Sequence, residues 1–462
     1  MAVRTRIFLV RAGSSLTQSP PLGLMILSSI LRAGGYRPEI FDCLIHPQRA
    51  DDLLRECREN PPLWVGFSAM TPEFPAVAAL ARRVKAIDPT LPCVLGGIHG
   101  SFLPESSLTE APFDVVVIGE GENRVLPLTK MIEEQGRRFD DLPQAAFRDE
   151  HGEIVVNATK APPTDMNDVP FPDWSAVNIE DYQRHTWQLV KRGRRIAPVL
   201  TSRGCCYQCS FCANPVHHGR QFRPRDPQRV VDEIEWLVRQ YGVDEIQIAD
   251  DNFNADLNHA KAVLREIVRR QLPIVWKPPE GIRLEHFDEE FLALVVASGA
   301  YQVGFGIESA CPEILTNINR TMNFTRAVEI LRRYKAAGLS TFGYFILGLP
   351  GETMDTLRRT LTFALTSPLD HVHVSLCVPY PGSPIFADLE TKGVLHHRWD
   401  EYRHFHVFPV STLPGDYLKR FHRLFYFRFY LRPRHALLLA KEMWLTGFGG
   451  IFRVAWKYLG TR

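Results

Sequence analysis

Apolar residues in this chain follow two rhythms. Short unbroken runs such as Ile7-Phe8-Leu9-Val10 have the length of strands buried on both faces, while longer segments with apolar positions three and four apart read as helices packed by one side. The first series places strands at 5–10, 39–42, 63–68, 93–97 and 115–118. Helices fall between them at 21–35, 50–59 and 75–87, and the first shows Leu22, Leu24, Met25, Leu27, Ile30 and Leu31 before a Gly34-Gly35 stop. Alternation at this interval predicts an open parallel sheet covered on both faces over residues 1–135, with ligands received at the carboxyl ends of its strands.

A second series begins at residue 196. Strands are predicted at 196–201, 245–249, 274–277, 302–307, 340–347 and 371–376, with helices at 226–241, 258–270, 288–298, 325–337 and 353–365. Six such units describe a partial (βα)6 barrel over 196–390, its active site at the strand ends. Between the two series, 136–195 reads as a linker. Glu153-Ile154-Val155-Val156 looks like one arm of a small hairpin, and the run from Ala161 to Trp174 is proline-rich and extended across the surface. The fold class is therefore α/β, closed by a helical C-terminal region over 391–462.

Composition narrows the function. Of 462 residues, 45% are hydrophobic and 23% charged, with a net charge of +2, so no global basic field argues for nucleic acid. Nine cysteines are too few for a disulfide scaffold of this size and point to a reducing, cytoplasmic setting. The run Ile7–Val10 breaks at Arg11 and reads as a strand, not a signal peptide, and no run approaches the ~20 apolar residues of a membrane span. From Lys419 to Arg462, ten Lys or Arg face one acid, Glu442, among aromatics that include Phe421, Phe425, Tyr426, Phe427, Phe429, Tyr430, Trp444, Phe448, Phe452, Trp456 and Tyr458. Such helices suit either peripheral contact with an anionic membrane surface or a lid packed on the barrel.

Four of the nine cysteines fall in one loop. Cys205, Cys209 and Cys212 have the spacing C-x3-C-x2-C, while Cys206 adjoins Cys205 and points elsewhere. Three thiolates can hold an iron-sulfur cluster with one iron left open for a small molecule, or a zinc ion completed by His217 or His218.

With Thr201-Ser202-Arg203-Gly204 before it and Phe211 inside it, this loop resembles the signature of radical S-adenosylmethionine (SAM) enzymes. The resemblance implies a [4Fe-4S] cluster on the three cysteines, SAM chelated at the open iron, and an external electron donor such as flavodoxin or ferredoxin. It also implies SAM-binding strand ends. Asp250, Asp251 and Asn252 would lie at the amino group, Arg283 at the carboxylate, and Glu308 and Ser309 at the ribose and carboxylate. Gly348, within Gly343–Glu352, would lie near the adenine. Helix capping by the Asp250–Asn252 group, a solvated rim position for Arg283 and a plain Gly-Pro turn at 348–351 are the structural alternatives.

Pro21-Leu22-Gly23-Leu24, Gly96-Gly97-Ile98-His99 and Gly119-Glu120-Gly121-Glu122 resemble the cobalamin-binding, Rossmann-like domain that precedes the barrel in one radical SAM class. Ser68 and Thr71 at the third strand end join that set, and a scaffold without cofactor is the alternative. The D-x-H-x-x-G motif is absent, since Asp42 and His46 are four apart, so neither His46 nor His99 is assigned to cobalt. Pro278–Arg283 and Val378–Pro384 resemble further segments of the class, which puts Tyr380 and Cys377 at the substrate mouth as catalytic candidates, with a buried small hydrophobe as the alternative for Cys377. The expected activity is methyl transfer from SAM through cobalamin to an unactivated carbon or phosphorus of a small-molecule, lipid or tetrapyrrole-like substrate. A cyclase or rearrangement enzyme without methyl transfer is the alternative, and a non-catalytic iron-sulfur sensor a remote one. A methylthiotransferase would carry further cluster cysteines, and Cys43, Cys57 and Cys93 lack that spacing.

Overall fold

The computed structural model describes residues 5–13, 19–135, 138–185, 191–403, 405–433 and 435. It divides into two units. The first comprises Met1–Thr186 with Val216–Gly219 and His397–Tyr402, and the second the remaining residues.

The first unit is built on a seven-stranded sheet. Its strands are β1 (Arg6–Arg11), β2 (Arg37–Asp42), β3 (Trp64–Ser68), β4 (Cys93–Gly96), β5 (Val115–Val117), β6 (Ala145–Arg148) and β7 (Ile154–Asn157), in the order β2-β1-β3-β4-β5-β6-β7. The first five run parallel, and Ile7, Phe8, Leu9 and Val10 at the centre are at most 1% exposed, which explains their unbroken apolar run. The order reverses between β1 and β3, and a crevice at the carboxyl ends is expected there.

Two features depart from the sequence reading. The hairpin arm placed in the linker is β7, and it extends the sheet: β6 pairs antiparallel with β5, and β7 with β6. Four-residue strands joined by a tight turn need no crossover helix, so the strand-helix rhythm could not announce them. The proline-rich segment is also no loose connector. Asp173 accepts hydrogen bonds from Ser28 Oγ at 2.7 Å and Arg32 Nε at 2.6 Å, its amide donates to Met25 O, and Ser29 Oγ donates to Phe171 O, all on helix Leu22–Ala33. Trp174, 1% exposed, is buried beside this clasp.

The second unit carries six parallel strands in two sheets. β8 (Ile196–Val199), β11 (Glu245–Ile248) and β12 (Val275–Lys277) form one, and β13 (Gln302–Glu308), β14 (Ser340–Leu347) and β15 (His371–Leu376) the other. Single bridges, Trp276 to Ala300 and Ile282 to Phe305, carry the strand order from one to the next, giving the partial barrel. Two-residue strands β9 (Ser202–Arg203) and β10 (Arg223–Pro224) pair antiparallel across the cysteine loop. The helices begin at residues the sequence supplies as caps: Asp226, Asp256, Asp288, Asn323 and Thr353 each accept from amides of their own first turn. Short helices Pro312–Asn317 and Pro384–Thr391 were not anticipated.

Helix Gly415–Tyr430 explains much of the aromatic C-terminal pattern. Phe421, Phe425 and Phe429 are buried, while the Tyr426 and Tyr430 hydroxyls accept from the amides of Val374 at 2.8 Å and Val372 at 3.1 Å on the outer side of β15. This is the lid packing over 415–430. Trp444, Phe448, Phe452, Trp456 and Tyr458 lie outside the described residues. Among the described residues no helix is long and apolar enough to cross a membrane.

Replacing Tyr426 by Phe removes the hydroxyl's hydrogen bonds with the Val374 amide and carbonyl while keeping the ring. It should lower stability by about 1 kcal/mol in denaturant titration and speed hydrogen exchange at the Val374 amide.

Candidate active site

The cysteine loop leaves the end of β8 and is fixed from the neighbouring strand. Asp250, 1% exposed at the end of β11, accepts from Thr201 N at 2.6 Å, Ser202 Oγ at 2.7 Å and Thr201 Oγ1. Burial pushes its carboxyl up to about 6 against these donors. Asp251 holds both flanks of the loop: Oδ2 accepts from Gly204 N at 2.9 Å, just before Cys205, and Oδ1 from Asn214 Nδ2 at 2.7 Å, just after Cys212. Gly204 has φ +84°, a left-handed turn suited to glycine. Further contacts close the loop, with Ser210 N donating to Ile318 O, Ile385 N to Ser210 O, and Asn319 Nδ2 to Gln208 O. At its far end the buried pair Arg225–Glu233, 2.7 Å apart, secures the chain after β10.

The two aspartates thus shape the loop, Asp250 from a buried position and Asp251 from a half-buried one. Asn252 is the member of the trio that presents an orphan: it is 6% exposed, and its Oδ1 is buried without a hydrogen-bond partner.

Cys206 is exposed, while Cys205, Cys209 and Cys212 are half-buried. Burial raises all three thiols, Cys212 to about 12, and Cys209 and Cys205 add to the rise at Cys212. Holding these groups as thiolates requires a positive centre. Three thiolates with no fourth cysteine in register suit a cluster that leaves one iron open. His218 Nδ1 lies 3.3 Å from Glu120 Oε1, and the His217 ring packs edge-on to Phe102.

A frame unannounced by the sequence stands beside the loop. The Arg283 guanidinium lies over the Tyr207 ring, Cζ 3.3 Å from its centroid, with Nη2 3.8 Å from Cys209 Sγ. The Tyr207 hydroxyl meets His286 Nε2 at 2.6 Å, and His286 Nδ1 meets the Asn254 carbonyl at 2.8 Å. In a neutral ring this fixes the proton on Nδ1 and makes Nε2 the acceptor. Fully buried Asn254 then ties Arg283 and His286 together, accepting from Arg283 N and donating to both carbonyls.

At the end of β13, Glu308 adopts φ +63° after a register shift and pairs with Arg320, a residue the sequence reading missed, at 2.7 Å. A Cβ on Gly306 would sit 2.7 Å from Glu308 Oε1, so a larger residue there would have to displace the Glu308 carboxylate. Ser309 is wholly buried, its hydroxyl shared with Thr360 and the Cys311 amide, so it locks helix Pro312–Asn317 in place. Gly348, φ +80°, and Leu349 donate their amides to Glu352, whose carboxyl burial pushes up to about 8.

Cys377 departs from expectation. It is 4% exposed within a cluster of Cys311, Ile314, Leu315, Ile318, Leu349, Ile385 and Leu389, with burial pushing its thiol up to about 12. It packs among these apolar side chains, as the chain after β15 leads into helix Pro384–Thr391. Tyr380 is half-buried, its carbonyl accepting from Ser383 Oγ.

In the first unit, the remaining candidates gather at the carboxyl ends of β1, β3, β4 and β5. Ser68 ends β3, and buried Thr71 follows it. Gly97, φ +85°, packs so closely that an added Cβ would meet Ala69 and Ser68 at 2.9 Å. Gly119 N donates to Ser101 Oγ, and Glu120 is engaged by His218. Pro21 and Leu22 open the first helix, and exposed Gly23 has clear space where a side chain would be. Asp42 is spent on Arg11 and Tyr182, and His46 on Asp181.

Residues 199–364 match the radical SAM superfamily and residues 9–128 the B12 binding domain. The chain is 30% identical over 378 residues to the anaerobic magnesium-protoporphyrin IX monomethyl ester cyclase of Rubrivivax gelatinosus, covering 81% of this chain and 67% of that protein. The chain belongs to the cobalamin-binding radical SAM enzymes. Its cofactors are a [4Fe-4S] cluster, SAM and cobalamin. It is also 28% identical over 443 residues to the cytidylyl-2-hydroxyethylphosphonate methyltransferase of Streptomyces wedmorensis, covering 86% and 82%. The fold matches that of the radical SAM methyltransferase TsrM from Kitasatospora setae, solved with cobalamin and a [4Fe-4S] cluster, with TM-score 0.71, 24% identity, and coverage of 84% and 78%.

Asp251→Ala frees both flanks of the cysteine loop. Iron and sulfide bound after anaerobic reconstitution at limiting iron should show an affinity loss of about 10-fold or more. Glu352 sets a pH dependence: its folded pKa, about 8 against an ordinary 4.5, means the native state holds the proton longer. Stability from this group is full below pH ~4.5 and falls as pH rises to ~8. Glu352→Gln should flatten that fall in denaturant titrations between those limits.

Proposed function

We propose that this enzyme transfers a methyl group from SAM, by way of cobalamin, to an unactivated carbon or phosphorus of a small molecule. The observation that carries the reading is the pairing in one chain of a loop presenting three half-buried thiols and a sheet whose glycine-lined strand ends match the B12 binding domain. The phosphonate methyltransferase relative supports it.

Cys205, Cys209 and Cys212 would hold the cluster. The orphan Oδ1 of Asn252 would accept from the SAM ammonium group, and Arg283, stacked on Tyr207, would face its carboxylate. Glu308, fixed by Arg320, and the Gly348–Leu349 turn, fixed by Glu352, would support the rest of SAM. Pro21, Leu22, Gly23, Ser68, Thr71, Gly96, Gly97, Gly119 and Glu120 would line the cobalamin, bringing backbone close to a large flat ligand. When bound, these groups supply one-electron cleavage of SAM and a methyl carrier. The protein's work is to orient both and keep out water.

A lipid or tetrapyrrole-like substrate and a flavodoxin or ferredoxin donor in the cytoplasm complete the proposal. The exposed Leu424, Phe427 and Leu431, beside Lys419, Arg420, Arg423 and Arg428, are the feature that supports peripheral membrane contact. Cyclisation or rearrangement without methyl transfer is the second reading, favoured by the Rubrivivax cyclase.

Reduced, cobalamin-loaded protein incubated with methyl-labelled SAM should place label in the corrinoid fraction. A corrinoid that stays unlabelled while SAM is cleaved to 5'-deoxyadenosine would favour the second reading.

A further inference from the structure

Arg283 carries a positive charge that no carboxylate offsets within ion-pair distance among the described residues. Its neighbour Arg320, which also lowers the Cys209 thiol pKa, is neutralised by Glu308. Arg283 is also unusually confined. Its main chain is tied to buried Asn254, and its guanidinium is stacked on a tyrosine whose hydroxyl is tied to His286, itself tied to Asn254. The ring of contacts closes on itself, and Nη2 is left aimed at Cys209 Sγ.

We propose that Arg283 sets the reduction potential of the cluster by donating an N–H···S hydrogen bond to Cys209, and that Tyr207, His286 and Asn254 are positioning residues for that bond. The inference rests on the [4Fe-4S] reading of the loop. Reduction brings one electron and no proton to the cluster, adding a negative charge to the iron and its thiolates. A cationic donor at a coordinating sulfur stabilises the reduced form more than the oxidised one and raises the potential. The planar fork leaves other N–H groups free, so the bond to sulfur is compatible with a carboxylate on the same guanidinium. The position of Tyr207 between Cys205 and Cys209 gives the loop a flat platform on which the cation is held at fixed height.

The test is the midpoint potential of the reconstituted cluster, measured by an EPR-monitored dithionite titration without SAM or cobalamin, with iron and sulfide counted in each sample. Arg283→Gln is expected to move the midpoint to a more negative potential, Arg283→Lys to recover part of the change, and Tyr207→Phe, which keeps the ring but frees it from His286, to move it the same way by less. A midpoint equal to that of the parent protein in Arg283→Gln at equal iron content overturns the proposal. Should Arg283→Gln bind less iron, Tyr207→Phe decides, since it retains the guanidinium and every cysteine, and an unshifted midpoint there overturns the proposal equally. The parent protein tests the underlying reading separately: without four irons and four sulfides per chain, the site assignment itself fails.

Discussion

Two adjacent carboxylates carry the architecture of the active site. Three thiols on an irregular loop must be brought together although burial and mutual repulsion resist their ionisation, and a loop of this length has many other conformations open to it. Asp250 closes off those alternatives by welding the end of β8 to the end of β11, and Asp251 by gripping the residues immediately before and after the cysteines. Beside them, the buried Oδ1 of Asn252 is left without a hydrogen-bond partner.

The same economy of charge runs through the neighbouring strand ends. Glu308 and Arg320 neutralise one another in a setting where either alone would be costly to bury. Glu352 stays protonated near neutrality and still orders the Gly348–Leu349 turn by accepting two amides. Against this balanced background Arg283 is the exception, and its stacking on Tyr207 gives the exposed face of a cation a defined place.

Much of this was legible in the sequence where the signal is local. The alternation of apolar runs and amphipathic segments located the six barrel strands and the five parallel strands of the first unit to within two residues, because burial on both faces leaves little room for polar residues. The cysteine spacing was equally plain. What could not be read is made by contacts far apart in the chain. Tyr207 and His286 are 79 residues apart, and nothing in either neighbourhood marks the pair. Arg320 follows its partner by only 12 residues, but the intervening short helix, begun at Pro312, had no periodic pattern to betray it. Cys377 illustrates the converse: its motif suggested a reactive mouth, while the apolar residues on the two unanticipated helices enclose it.

The seal on β15 has a bearing on handling and on the cell. An outermost strand ordinarily offers its amides as a template on which another chain can grow, and a sheet of this size would be prone to self-association along that rim. Here the phenols of Tyr426 and Tyr430 saturate the outward amides of Val374 and Val372, and His422 and both tyrosines take the facing carbonyls. Helix Gly415–Tyr430 therefore occupies, on this rim, the hydrogen-bonding groups that an added strand would need.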